Sequence, residues 1–315
     1  MRRVPGTEVA AVWGSLDPRG PAARSIDDLW VLMLVLGIVA FAIFAVLLVV
    51  GIRRRATLDE ERPSNRLIVW GGIVLPVVVV GAVLVATLDT MATTAAEAPE
   101  DALTVEVTGH QFWWEVRYPD ADVVTANEVH IPAGEQVAIE LTSSDVVHSF
   151  WIPQLTGKLD ALPDGTHTLV IEADEPGEYR GTCAEFCGIQ HANMGVLVIA
   201  HDPADFDAWL AAQAEPAVEP EDELAMQGRD LVAGASTCME CHTMNGSTND
   251  GPPAPDLTHF ASRRTIAART LPNTPEALAR WLDDPQHVKP GALMEAPNMT
   301  DAELEAVHAY LESLE

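Results

Sequence analysis

Positive charge is what this chain has least of. Lys and Arg number 18 against 47 Asp and Glu, a formal net charge of -29, and the only lysines are Lys158 and Lys289. So few cations cannot neutralise a phosphate backbone, which excludes nucleic-acid binding. The balance suits a basic protein partner, steered by the field and screened by salt; it would serve equally for solubility in a salty habitat. Cysteine is scarce as well, with four residues in two close pairs, Cys183 with Cys187 and Cys238 with Cys241. Histidine is missing from the two long apolar runs, so no imidazole is available there to hold a metal. There is no internal repeat.

The apolar runs are 29–52 and 67–88. As helices they would extend about 36 Å and about 33 Å, enough for a hydrocarbon core of roughly 30 Å. Two such spans make a transmembrane hairpin. The first is too long for a signal peptide, and no small-residue cleavage site precedes the second. Pro76 within the second is tolerable where neighbouring helices satisfy the freed carbonyl. The connecting loop carries Arg53, Arg54, Arg55, Arg62 and Arg66, which the positive-inside rule places in the cytoplasm with both chain ends outside. Arg2, Arg3, Arg19 and Arg24 work against that asymmetry.

Residues 183–194 read Cys-Ala-Glu-Phe-Cys-Gly-Ile-Gln-His-Ala-Asn-Met. Two thiols, an imidazole and a thioether on one short loop make a soft ligand set suited to copper and electron transfer. His148, in Val-Val-His-Ser-Phe-Trp, supplies a second imidazole. The same spacing admits a Cys2His2 zinc site, although zinc leaves Met194 unused. A disulfide, feasible in an oxidising compartment, leaves both the histidine and the methionine unexplained. The second motif, Cys238-Met-Glu-Cys241-His242, is the C-x-x-C-H signature of covalent haem attachment, with His242 as axial ligand. With one pair assigned to copper and one to haem, no disulfide remains. A second axial ligand is expected, and methionine raises the haem potential; Met294 and Met299 compete for it.

Leu103, Val105 and Val107, then Val137, Ile139 and Leu141, alternate with polar or small residues as half-buried strands do, which predicts a β-sandwich. Residues 215–223, rich in proline and acid, read as a linker. Thr300 and Glu303 are spaced for a capping box. Leu304, Val307, Leu311 and Leu314 would then be the buried stripe of a terminal helix, facing a helix around Gly228, where a small residue permits close crossing.

The Cys183-x-Glu185-x-Cys187-x-x-x-His191-x-x-Met194 loop resembles subunit II of the haem-copper cytochrome c oxidases, and the resemblance covers most of the chain, including the Gly-Ser-Leu-Asp-Pro-Arg-Gly-Pro stretch before the first apolar run. It implies a multi-domain membrane protein: an N-terminal segment and hairpin over 1–95, a cupredoxin-like Greek-key β-sandwich over 96–212, a linker over 213–225, and an all-α class I cytochrome c domain over 226–315. In that family the loop holds the binuclear copper centre CuA. Cys183 and Cys187 would bridge the coppers, His148 and His191 cap them, Met194 bind weakly, and Glu185 contribute its backbone carbonyl. The Glu185 carboxylate would then be free to help hold a magnesium ion at the contact with the catalytic subunit. The Lys289-Pro-Gly-Ala-Leu-Met294 run resembles the loop that supplies the axial methionine in fused cytochromes c, which selects Met294. Pro255-Asp-Leu-Thr-His-Phe-Ala-Ser-Arg263 resembles the segment packing behind the proximal histidine, with His259 structural.

Residues 109–118 match the family's aromatic segment, so Phe112, Trp113 and Trp114 form a possible electron path; for Trp114 plain strand packing is an equal reading. Three positions depart from the family pattern. Phe112 stands where a tryptophan usually receives electrons, Asp89-Thr90 replaces an acidic pair at a proton channel, and Glu295 follows Met294 where proline is frequent. No residue is therefore assigned to proton delivery.

The resemblance implies electron relay, with no catalytic residue in this chain. A donor, either cytochrome c or a quinol–cytochrome c reductase complex, would reduce the haem; CuA would follow, then subunit I, where dioxygen is reduced with proton translocation. Subunits I and III and the lipid of a prokaryotic cell membrane are the implied partners, with both redox domains extracytoplasmic. Two alternatives are a nitric oxide reductase with a CuA subunit and a tethered copper carrier or redox shuttle.

Overall fold

Two long apolar helices stand apart from the rest of the chain. The computed structural model describes residues 14–54, 65–95, 97–235, 238–247 and 253–315. Helix α1 covers Pro21–Arg54, the short α2 Asn65–Val69, and α3 Leu75–Thr94, with a π-turn at Trp70–Val74 between the last two. Within the spans Pro21–Arg53 and Trp70–Thr94 the most apolar windows are wholly unburied, with Phe41, Phe44 and Val85 at their exposed faces. So much contiguous apolar surface is incompatible with water and suits lipid. Both helices outrun the uncharged stretches read from sequence. Pro21 occupies the start of α1, where its missing N–H costs nothing, and the polar turn containing Asp27 and Asp28 extends the helix beyond the apolar run. Pro76 is accommodated locally, in the first turn of α3 directly after the π-turn, where Leu75 N–H reaches back to the Trp70 carbonyl. Thr90 Oγ1 donates to the Ser25 carbonyl at 3.2 Å, tying α3 to α1. Arg2, Arg3, Arg55 and Arg62 lie outside the described residues.

A β-sandwich is seated on the start of α1. Arg19 N–H donates to the Gln154 carbonyl at 2.7 Å, Ala23 N–H to Leu155 at 3.2 Å, and Arg24 pairs with Asp174. A Cβ on Gly20 would fall 2.3 Å from the Glu172 carbonyl, so only glycine permits that approach. The strands are β1 (Leu103–His110), β2 (Trp113–Tyr118), β3 (Val123–Ala126), β4 (Glu128–Pro132), β5 (Val137–Ser143), β6 (His148–Trp151), β7 (Leu159–Ala161), β8 (His167–Ile171), β9 (Gly177–Cys183) and β10 (Gly195–His201). They form two five-stranded sheets, ordered β3-β2-β1-β5-β8 and β4-β10-β9-β6-β7. The alternation expected at 103–107 and 137–141 is realised: β1 and β5 run parallel with Val105 opposite Ile139 and Val107 opposite Leu141, all four fully buried between the sheets. A helix not foreseen from sequence, α4 (Pro203–Gln213), follows β10 and packs Phe206 and Trp209 against Tyr118.

The C-terminal domain is helical: α5 (Glu223–Asp230), α6 (Cys238–Cys241), α7 (Pro275–Asp283), α8 (Pro285–Val288) and α9 (Asp301–Glu312). A two-residue pairing of β11 (Thr265–Ile266) with β12 (Leu271–Pro272) is its one departure, among the described residues, from an all-α description. The capping box at Thr300 and Glu303 is formed. Val307, Leu311 and Leu314 are buried and Leu304 partly so, as the stripe requires. At the crossing of α5 and α9 a Cβ on Gly228 would sit 1.9 Å from the Ala306 carbonyl, which makes the absence of a side chain a condition of the packing.

Candidate metal centre and haem site

Strand β9 delivers Cys183 at its end, β6 delivers His148 at its start, and the loop to β10 brings back Cys187, His191 and Met194. The two sulfurs lie 3.9 Å apart, nearly twice a disulfide bond length. His148 Nδ1 is 3.9 Å from Cys183 Sγ, His191 Nδ1 is 4.0 Å from Cys187 Sγ, and Met194 Sδ is 3.8 Å from Cys187 Sγ. The Glu185 carbonyl lies 3.2 Å from Cys183 Sγ. All six positions read from sequence are thus brought together, with the ligand atoms of His148, Cys183 and Cys187 mutually within 4.8 Å. A fully buried thioether beside the thiols adds a soft donor that zinc would not use.

Burial opposes ionisation of both thiols, but hydrogen bonds from His148 and from backbone groups of Ser149 and Glu185 outweigh it at Cys183 and hold that thiol at about 6. The Cys187 thiol is pushed up to about 12, by burial and then by the charge of Cys183 beside it. The two buried thiols therefore resist ionising together, and a cation between them is what would make both thiolates at once. Burial pulls the His148 imidazole down, while Cys183 and Asp145 overcome that and raise it. Asp145 was not identified from sequence: it accepts from His148 Nε2 at 2.8 Å and from Gln111 N–H at 2.7 Å, fixing the ring with Nδ1 toward the sulfur. Close approach of β1 completes the cradle, since a Cβ on Gly109 would come within 2.6 Å of His148 Cδ2. Gln111 Nε2 donates to the Cys187 carbonyl. The Glu185 carboxylate faces outward, 3.9 Å from Lys158 Nζ.

The aromatic segment surrounds this cradle. Trp114 is fully buried, edge-on to His148 at 5.7 Å and to Phe150 at 5.5 Å, so it both packs the core and touches a candidate ligand. Trp113 stacks on His110 at 4.4 Å. Phe112 packs over Gly188, where an added Cβ would meet its ring at 3.0 Å.

In the helical domain, His242 Nδ1 is 2.7 Å from the Pro255 carbonyl, which leaves Nε2 as the nitrogen able to bind iron. Burial holds this imidazole below its ordinary value and hence neutral, as a ligand must be. The segment behind it is tied down by Thr243 Oγ1 donating to Asp256 at 2.8 Å and by Leu257 N–H donating to the Thr243 carbonyl at 2.9 Å. Cys238 and Cys241 sit one helical turn apart on α6, on the side of His242. These residues fit a covalently held haem. Met294 and Met299 are both partly buried against the domain core. His259 uses both ring nitrogens on carbonyls, Glu315 at 2.8 Å and Glu215 at 2.9 Å, consistent with a structural role.

The two domains meet beside the copper loop, through residues that sequence reading passed over. Gln190 Nε2 donates to the Pro290 carbonyl at 2.7 Å, Gly195 N–H to Ala268 at 3.0 Å, and Arg269 to the Gly181 carbonyl at 3.2 Å. Glu128 and Lys289 are buried in the same interface. Burial presses the Lys289 ammonium down to about 7. Nothing in the local pattern around either residue signals a partner in the other domain.

Residues 122–201 match the family model for the periplasmic domain of cytochrome c oxidase subunit II, and residues 225–315 that for cytochrome c. A cytochrome c oxidase subunit 2 from Alkalihalophilus pseudofirmus is 37% identical over 95% of this chain and 90% of its own length. One from Bacillus subtilis is 32% identical over 95% and 91%. Among solved structures, the periplasmic domain of cytochrome oxidase subunit II from Bradyrhizobium japonicum is 26% identical, covering 37% of this chain and 96% of that one, at a TM-score of 0.36, too low to carry weight.

Proposed function

The chain belongs to the cytochrome c oxidase subunit II family, and from that premise we propose that it takes single electrons at a covalent haem c and delivers them through a binuclear CuA centre to the catalytic subunit I of a terminal oxidase. Dioxygen is reduced to water there, with proton translocation. It is the electron-receiving part of an oxidoreductase complex. When bound, the haem and the copper pair supply reversible one-electron storage.

The observation that carries this reading is the convergence of two sulfurs 3.9 Å apart with an imidazole Nδ1 no more than 4.0 Å from each. Cys183, Cys187, His148, His191, Met194 and the Glu185 carbonyl would hold the copper pair, and Asp145 keeps the His148 ring from turning. A sandwich with its ligands already gathered resists movement, which keeps the reorganisation accompanying each electron small. Cys238 and Cys241 would bind a haem covalently, His242 and Met294 would hold its iron, and Phe112, Trp113 and Trp114 are the aromatic path this reading assigns. Glu185 is assigned to a magnesium ion at the contact with subunit I, where it would exchange Lys158 for the ion. Subunit III, the lipid of a prokaryotic cell membrane, and cytochrome c or a quinol–cytochrome c reductase complex as donor complete the assembly, with both redox domains and both chain ends extracytoplasmic. The domain limits 1–95, 96–212, 213–225 and 226–315 are part of this reading.

The test uses the complex extracted in mild detergent with an artificial electron donor, following oxygen and, separately, nitric oxide. The expected result is rapid oxygen uptake that disappears in Cys183→Ser. Turnover of nitric oxide without oxygen uptake would move the chain to a nitric oxide reductase, and purification without any large haem-bearing subunit would leave it a tethered shuttle.

A further inference from the structure

The contact between the two domains includes two buried ionisable side chains, which is an expensive way to build an interface unless position matters. Glu128, at the start of β4 and only 1% exposed, turns one carboxylate oxygen to the helical domain, where it accepts from Arg264 N–H at 2.8 Å, Thr265 N–H at 2.9 Å and Thr265 Oγ1 at 3.2 Å. Lys289, 3% exposed, reaches the other way: its Nζ donates to the Phe112 carbonyl of the sandwich at 2.8 Å and to the Ala267 carbonyl of its own domain at 3.0 Å. Between these anchors Ala267, Ala268 and Arg269 all have positive φ, at 52°, 56° and 62°. Three successive non-glycine residues adopt that conformation only where their surroundings hold them. Lys289 and Thr270 of their own domain bond the Ala267 carbonyl, and the sandwich holds the rest. Gly195 N–H is bonded to the Ala268 carbonyl, Ala268 is buried with Trp113 and Ala126, and a Cβ on Gly195 would come within 2.7 Å of Arg269 Nε.

We propose that Glu128 and Lys289 are positioning residues that clamp the haem domain permanently onto the copper-loop face of the sandwich, so that it acts as a fixed donor and not as a tethered domain that swings in and out. The inference rests on the relay reading above. The Gln190-to-Pro290 bond sets the loop leading to Met294 directly on the loop that carries Cys187 and His191, and the Lys289-to-Phe112 bond ties it to the neighbouring turn between β1 and β2, whose Gln111 side chain donates to the Cys187 carbonyl. One electron lost by the haem iron and one gained by the copper pair would then cross a contact of constant geometry. The clamp also covers the aromatic face: the Phe112 carbonyl is engaged and Trp113 is capped by Ala268. A separate cytochrome must therefore deliver its electron to the haem.

The two variants are Lys289→Met, which leaves two buried carbonyls without their donor, and Glu128→Ala, which frees the 264–265 amides; both are made in the full chain within the detergent-solubilised complex. Amide hydrogen exchange over 264–268, read by mass spectrometry, needs neither cofactor. It should accelerate roughly tenfold or more in each variant, the scale expected when a buried hydrogen-bonded anchor is lost. With the cofactors in place, haem and copper spectra should stay as in the wild type while haem-to-copper transfer slows and becomes dependent on solvent viscosity. In the wild type the transfer should be independent of viscosity. Unchanged exchange and viscosity-independent transfer in both variants would overturn the proposal. Should Lys289→Met not fold, Glu128→Ala decides alone. A chain that binds no copper or haem would sink the relay reading, and the exchange result would still judge the clamp.

Discussion

The copper loop and the haem motif are equally compact as sequence signatures, yet the protein builds the two sites differently. At the copper loop, rigid strands do the gathering. His148 and Cys183 are held at strand ends, Asp145 fixes one ring, and the sulfur and nitrogen donors already lie about 4 Å apart. At the haem motif a four-residue helix presents Cys238, Cys241 and His242, and one carbonyl, that of Pro255, orients the imidazole. Two methionines stand at the edge of the same core. The first site is organised by its fold; the second leaves more for the covalently attached group to organise.

The strongest way to break that contrast is to remove one of the two paired sulfurs. Cys187→Ser should lower copper binding by more than about a hundredfold, beyond the range found for losing an outer-layer partner, while the sandwich still folds because serine nearly keeps the volume of one small member of a large buried core. Metal analysis alongside circular dichroism checks both halves. A smaller effect is expected when only the support is weakened. Asp145→Asn removes the charge that orients His148 and should cost about ten- to a hundredfold in copper affinity, measured by competition with a chelator.

The helical domain can be tested separately through its tightest crossing. Gly228→Ala places a Cβ against the Ala306 carbonyl and should destabilise that domain by about 1–3 kcal/mol, seen as an earlier thermal transition of the haem absorbance with copper binding unchanged. The smallest effect concerns pH and comes from two histidines of the sandwich. His130 and His201 share a hydrogen bond between ring nitrogens at 2.8 Å, and burial holds both below the ordinary imidazole value. The unfolded chain then binds protons that the folded pair refuses, so the stability this pair contributes should be constant above about pH 6.5 and fall as pH drops through that value toward the depressed ones. A denaturant series across that range measures it.

What could be read from sequence, and what could not, follows the distance over which each residue acts. The capping box at Thr300, the stripe through Val307, Leu311 and Leu314, and the need for a small residue at Gly228 are local or periodic, and all are realised. The alternation of 103–107 and 137–141 identified both inner strands, because period two survives any choice of partner. Ligand residues are recognisable for a similar reason: chemistry restricts their identity. Their supports are not so restricted. Asp145 is one of 47 acidic residues, and only the turn before β6 sets it against His148. Glu128 and Lys289 act across gaps of 136 and 177 residues. The left-handed turn at Ala267–Arg269 carries no glycine or asparagine to announce it, and part of what stabilises it, the Gly195 bond to the Ala268 carbonyl, comes from the neighbouring domain. The helix ends moved for a simpler reason: an uncharged window marks the bilayer, whereas a helix can run on into water.

The most direct measurement of the relay is single-turnover reduction of the copper centre by a reduced protein donor, comparing the wild type with a Cys238→Ala, Cys241→Ala double variant that cannot attach haem. The account predicts that in the wild type one equivalent of electrons leaves the haem for each one gained by copper, and that copper reduction all but stops in the double variant. Copper reduced at the wild-type rate without the haem would contradict it.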